Sequence, residues 1–371
     1  MKITRLTAWS VLLPNAEGAY RMAGDRISYG MDAVVVRLAA ADGTEGIGES
    51  GTVGVTFDAQ NLPGHIAGIT ALAPAVIGAD ARRPQALHRR MCAAMTGHPY
   101  CKSPIDIAAG ELAARLAGGP LWSRRGADGP EPTPLYRPVQ GATPDDVRSK
   151  TVERTSQGYT RLQVKVGDDP IVDAARVLAV RETAGPDTVI FADANCGFSL
   201  SNARRFVREL GPDGARVHLE QPCATIVDCA HLRQSWGGPM VLDESITSLA
   251  ALLEGHRLGV ADGITIKLTR VGGITPAVVI RDAAVELGIG VTVEDASGCN
   301  LADMTFAHVN ASTPSLRRVH SVDFDSWVTL RHVSGPSARD GSFLRPDAAL
   351  PGLGLELDYS VLGEPFVDVS A

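Results

Sequence analysis

Six ionisable residues punctuate the second half of this 371-residue chain at near-regular intervals. Lys165, Asp193, Glu220, Asp243, Lys267 and Glu294 follow one another at separations of 28, 27, 23, 24 and 27 residues. Three successive carboxylates supply hard oxygen ligands that suit Mg²⁺, with water and substrate oxygens completing the shell. A lysine normally titrates at about 10.4, and burial beside another cation brings it toward neutrality, where it serves as a base. The proton that most needs a base and a metal together is the one α to a carboxylate. Its removal leaves a second negative charge, as an enediolate, which a metal ion neutralises. Two other readings compete. The acids and lysines can form a structural ion network, although such a network has no need of three acids in succession. Cys196 and Cys223 sit beside the acids and raise zinc, but no histidine occupies an equivalent position.

A repeating scaffold must position these groups. Each ends a short apolar run: LQVK at 162–165, VIFAD at 189–193, VHLE at 217–220, MVLD at 240–243, ITIK at 264–267 and VTVE at 291–294. Such runs, spaced by helical stretches, predict buried parallel strands of an α/β barrel, whose C-terminal strand ends carry the chemistry. Between them, Gly185 and Gly288 read as helix stops. Ser199 or Ser201 caps one helix, Thr247 or Ser248 starts another, and Pro276 suits a first helical turn. Side chains two apart on a strand share a face, which puts Gln163 beside Lys165 and Asn195 beside Asp193. Glu294 and Asp295 close the seventh strand. In SVDFDSWVTL, Asp323 and Asp325 lie near the barrel mouth or on a solvated loop, and Trp327 reads as core. Gln163, Asn195, Glu294, Asp295 and Asp323 are thus candidate substrate contacts.

A barrel of about 250 residues leaves room for a second domain. A break rich in Gly, Pro and charge falls at 124–134, RRGADGPEPT is its core, and the division expected is 1–128, 129–345 and 346–371. Strand-like runs at 2–11 and 33–40 followed by helical stretches at about 80–95 and 102–117 predict an α+β unit. Loops 14–30 and 48–57 are connectors or lids over the barrel, with Tyr20 and Phe57 as substrate-facing contacts. The segment 346–371 has no room for another barrel unit and is expected to return to the first domain.

A net charge of −7 gives no basic patch for nucleic acid. No apolar stretch reaches membrane-spanning length, and the apolar run of MKITRLTAWSVLLP alternates like a strand rather than a secretion signal. The six cysteines lack any CxxC pair and read as reduced, mostly buried side chains. These features predict a cytoplasmic homo-oligomer acting on a small molecule.

The pieces LQVKVG, FADAN, LEQP, LDES, KLTRVGG and EDASG, with PGLG near the C-terminus, resemble the enolase superfamily along essentially the whole chain. Within it they resemble the muconate cycloisomerase and mandelate racemase group. The resemblance implies an α/β fold, a modified TIM barrel of (β/α)7β form under an N-terminal α+β capping domain. It implies Asp193, Glu220 and Asp243 as Mg²⁺ ligands, Lys165 and Lys267 as the acid–base pair, and Glu244 as a support behind the ligands or as structural, facing away from Asp243. The group commonly carries Lys-x-Lys on the second strand, and here Gln163 puts a neutral amide in place of the first lysine. The LQVK form looks like the branch that handles proline derivatives, hydroxyproline-betaine epimerases and cis-3-hydroxy-L-proline dehydratases. A quaternary ammonium wants an aromatic cage, whereas a free secondary ammonium wants carboxylates. Asp295, Asp323 and Asp325 therefore tip the expectation toward the dehydratase, a hydro-lyase of amino-acid catabolism, with the 2-epimerase as alternative. An inactive, metal-stabilised binding protein is the remaining reading, and the presence of both lysines argues against it.

Overall fold

The computed structural model describes the chain apart from residues 23–25, 56–58 and 127–128, and describes 20–22 and 26 by their backbone alone. Three antiparallel strands, β1 (Ile3–Pro14), β2 (Gly30–Ala40) and β3 (Glu45–Thr52), build the N-terminal sheet. The C-terminal strand Val367–Ser370 pairs with the free edge of β1. Strand alternation divides β2 between two cores. Val34, Val36 and Leu38 pack with helices α1 (Leu62–Val76), α2 (Pro84–Ala94) and α3 (Pro99–Leu116), while Ala33 and Val35 join the larger core of the barrel side. Burial on both faces is the physical reason this strand reads as an unbroken apolar run.

Two of these elements depart from the expected strand–strand–helix–helix order. Strand β3 occupies the first part of the segment expected to be the second loop, and α1 precedes the two expected helices. Glycine conceals β3. A Cβ at Gly48 would stand 2.3 Å from Pro104 O and 2.6 Å from Ala108 N, so α3 lies directly on the strand backbone. In α1, Pro74 interrupts the helical pattern and Gly68 makes room for the Cys101 side chain. Gly48→Ala is therefore expected to lower stability by about 1–3 kcal/mol through overpacking. Thermal unfolding checks this, and an unchanged midpoint would mean that α3 can shift away at no cost.

The barrel strands are β4 (Tyr136–Pro138), β5 (Arg161–Lys165), β6 (Val189–Asp193), β7 (His218–Glu220), β8 (Met240–Leu242), β9 (Gly263–Lys267) and β10 (Gly290–Glu294). They form one parallel sheet in sequence order. An eighth extended segment closes it. Val319 N donates to Val291 O at 2.9 Å on one side, and Tyr136 N donates to Ser321 O at 3.0 Å on the other. The outer helices begin where side chains cap them. Ser199 accepts from Asn202 N to start α4 (Leu200–Leu210), and Ser248 accepts from Ala251 N to start α5 (Leu249–Arg257). The fold is the expected modified TIM barrel with an N-terminal cap.

Candidate active site

Strand register assembles the ionisable residues. Lys165 lies opposite Asp193, Asp193 opposite Glu220, and Lys267 opposite Glu294, so the side chains meet at one end of the sheet. Asp243 follows the last residue of β8 and joins the row. The Lys165 ammonium donates to the Asp193 carboxylate and to Asn195 Oδ1, the latter at 3.0 Å. At the other end, Lys267 Nζ reaches Glu294 Oε1 at 2.9 Å and Asp243 Oδ2 at 3.5 Å. The two lysines thus hold different carboxylates of a single buried row. Gln163 faces inward, as its spacing from Lys165 requires, and its Nε2 spans Asp193 Oδ2 at 3.2 Å and Glu220 Oε2 at 3.3 Å.

Charge follows this geometry. Glu220 is pushed well above the usual carboxylate range by burial and by the charges of Asp193, Asp243 and Glu294. Burial also opposes ionisation of Asp243, but Lys267 and Arg270 prevail and lower it. Burial would lower Lys267, yet Asp243 and Glu294 hold its ammonium well above the ordinary lysine value. Glu294 is raised, chiefly by burial.

Several residues here were not anticipated. Thr265 Oγ1 donates to Glu220 Oε1 at 2.9 Å, and Arg270 Nη1 donates to Asp243 Oδ1 at 2.7 Å. Thr265 stands two before Lys267 as Gln163 stands two before Lys165, so the alternation that found one also marks the other. Glu244 corrects an expectation. It does not turn away from Asp243, because β8 stops at Leu242 and strand alternation no longer applies. Asn195 Nδ2 donates to Glu244 Oε1 at 3.0 Å, and burial with the nearby Asp243 and Asp193 charges raises this carboxyl to about 8.

The site opens into a cavity of about 50 Å³, lined on its polar side by the lysines and acids and on its other side by Val53, Tyr136, Ala296, Phe324 and Trp327. Trp327, expected in the core, is one of its walls. An adjoining cavity shares Val53, Ala296, Phe324 and Trp327 and extends to Asn15, Gly18 and Ala19 of the first loop. Asp295 lines the site, but its carboxylate is taken up by Thr269 N at 2.8 Å and Ala296 N at 2.9 Å, and burial raises it to about 6. Asp323 is placed elsewhere. It is fully buried against Arg137 at 3.3 Å and Arg339 at 3.5 Å and is absent from the cavity lining. Asp325 pairs with Arg331. Phe57 and the Tyr20 side chain lie outside the described residues.

A barrel whose mouth joins two lysines through a row of acids, beneath an α+β cap, defines a class of proteins, and sequence models identify it. Residues 146–361 match the enolase C-terminal domain-like family, and residues 23–124 match the N-terminal domain of mandelate racemase and muconate lactonizing enzyme. The chain belongs to the enolase superfamily. It is 34% identical to a cis-3-hydroxy-L-proline dehydratase of Roseibium aggregatum, covering 98% of this chain and 99% of the relative. It is also 29% identical to an N-succinyl-L-Arg/Lys racemase of Bacillus cereus, over 98% of each chain. A superfamily member from Roseovarius nubinhibens, solved in complex with magnesium, superimposes with a TM-score of 0.94 at 32% identity over the full length of both chains. No helix among the described residues is long and apolar enough to cross a membrane.

Proposed function

We propose that the chain is a Mg²⁺-dependent cis-3-hydroxy-L-proline dehydratase that removes the proton α to the carboxylate of a proline-like substrate. The observation that carries this reading is the placement of Lys165 and Lys267 at the two ends of one buried carboxylate row. The dehydratase relative, matched over nearly its whole length, supports the substrate class. The residues fit a divalent cation. Among the described residues, Glu220 takes hydrogen bonds from the neutral side chains of Gln163 and Thr265 while facing further acids. Gln163 Oε1 and Glu294 Oε2 are buried there without partners among the described residues. Asp193, Glu220 and Asp243 would hold Mg²⁺, which when bound neutralises charge building on the substrate carboxylate.

The lysines share the proton transfers. One amine takes the α-proton, and the C–H electron pair becomes part of the new C=C bond. The adjacent C–O bond breaks with its pair on oxygen, and the ammonium of the other lysine protonates that oxygen to water. In a cis substrate the α-proton and the hydroxyl lie on opposite ring faces, which gives each lysine one task. Either lysine can take either task. The enamine product tautomerises to a cyclic imine acid in solution. Tyr136, Phe324 and Trp327 cover the apolar side of the substrate and restrict water.

One observation favours a second reading. Phe324 and Trp327 pack edge to face at 5.6 Å and both line the cavity, an arrangement suited to a quaternary ammonium. With Asp323 and Asp325 held by arginines, fewer carboxylates remain for a free ammonium. On that reading the lysines pass the α-proton from one face to the other, and the enzyme is a 2-epimerase of proline betaine or hydroxyproline betaine. Incubation of the Mg²⁺-loaded enzyme with a panel of proline derivatives in D₂O, followed by NMR, separates the two. Deuterium entry with loss of water from cis-3-hydroxy-L-proline is expected. Inversion of a betaine without water loss would transfer the assignment to the epimerase, and neither α-exchange nor water loss in any member would remove both.

A further inference from the structure

A second group of metal-ligating side chains, away from the lysine–carboxylate row, stands between the cap and the barrel. Glu49 belongs to β3, Cys299 immediately precedes the helix Asn300–Ala311, and His332 lies in the chain beyond the barrel. Three distant stretches of sequence therefore converge. Cys299 and His332 are 0% exposed and Glu49 is 2% exposed. Cys299 Sγ stands 3.8 Å from Glu49 Oε2 and 3.7 Å from His332 Nε2, and that nitrogen is 3.6 Å from the same carboxylate oxygen.

These separations lie at or just above the edges of a zinc coordination shell. Zn–S of about 2.3 Å and Zn–N or Zn–O of about 2.0–2.2 Å place tetrahedral ligand atoms roughly 3.3–3.6 Å apart. Protein hydrogen bonds leave the group incomplete. Ala302 N donates to Glu49 Oε2 at 3.0 Å, but among the described residues the buried Glu49 Oε1 has no partner. A thiolate, a carboxylate and a neutral imidazole around Zn²⁺ sum to zero charge, which removes the cost of burying the two anions.

We propose that Glu49, Cys299 and His332 form a buried Zn²⁺ site, distinct from the acids that would hold Mg²⁺ and independent of the reaction assigned above. Binding replaces the thiol proton with the metal and releases that proton to solvent. The ion would tie β3 to the loop after the seventh strand and to the C-terminal chain. The chain after β3 and that loop both reach the lysine–carboxylate cavity, since Val53 follows Glu49 by four residues and Asp295 precedes Cys299 by four.

The test uses the full chain with Mg²⁺ in excess, so that the acid row is filled, and supplies Zn²⁺ or Co²⁺ as the probe. About one Zn²⁺ per chain should survive desalting, as expected of a site with protein S, N and O ligands. The Co²⁺ form should show thiolate-to-metal charge-transfer absorption. Zn²⁺ should also raise the thermal unfolding midpoint. Cys299→Ser should lose all three signatures, while Cys196→Ser, which alters a thiol within the field of Asp193 and Asp243, should keep them. Circular dichroism checks that Cys299→Ser is folded, and His332→Gln replaces it if it is not. The proposal is overturned by a wild-type chain that retains no zinc, or by a charge-transfer band that survives Cys299→Ser or vanishes with Cys196→Ser.

Discussion

Alanine at Lys165 or at Lys267 is expected to reduce dehydration by at least about 10²–10⁴-fold, the contribution of a positioned acid or base. The two variants should nevertheless differ. The one that loses the acid still removes the α-proton and exchanges it with solvent deuterium, whereas the one that loses the base does neither. This separation follows from the contacts, because Lys165 engages Asp193 and Asn195 while Lys267 engages Asp243 and Glu294. Removing one ammonium leaves the other with its own partners. Lys267→Ala should also cost stability, since buried Glu294 loses the cation 2.9 Å away. Circular dichroism and a Mg²⁺ titration distinguish that effect from lost chemistry. Near-full dehydration by either variant would refute the two-lysine scheme.

The row of lysines and acids was legible because each buried parallel strand is a short apolar run and each run ends in an ionisable residue. Register does the rest: Lys165, Asp193 and Glu220 lie on neighbouring strands at matching positions. What the sequence concealed lies where local pattern and tertiary packing disagree. Strand β3 is glycine-rich because α3 presses on its backbone, and a glycine-rich stretch reads as a loop. Glu244 was misplaced by assuming that β8 continues beyond Leu242. Asp323 looked like a mouth residue because it follows the eighth strand. Its direction is set instead by Arg137, 186 positions earlier, and by Arg339. Such long-range pairs have no local signature. The wall formed by Phe324 and Trp327 was hidden in the same segment, since an aromatic residue after a strand more often fills a core.

Asp243→Asn is expected to abolish turnover while leaving the fold intact. Asp243 accepts from Arg270 through both its side chain and its backbone carbonyl, at 2.7 and 2.8 Å. The carbonyl contact does not depend on the carboxylate, so the asparagine variant keeps part of its anchoring. Gln221 Oε1, which accepts from Asp243 N at 2.9 Å, also holds the backbone in place. What changes is charge. If Asp243 is a Mg²⁺ ligand, loss of its negative charge should weaken metal binding by at least the roughly 10–100-fold that follows removal of an outer partner of a metal ligand. Lys267 loses one of the two carboxylates that hold its proton, so its affinity for that proton falls as well. Calorimetric Mg²⁺ titration, circular dichroism and α-deuterium exchange together measure these effects. Wild-type Mg²⁺ affinity with wild-type turnover would exclude Asp243 from the metal site. Lost turnover with unchanged affinity would instead confine its role to holding Lys267.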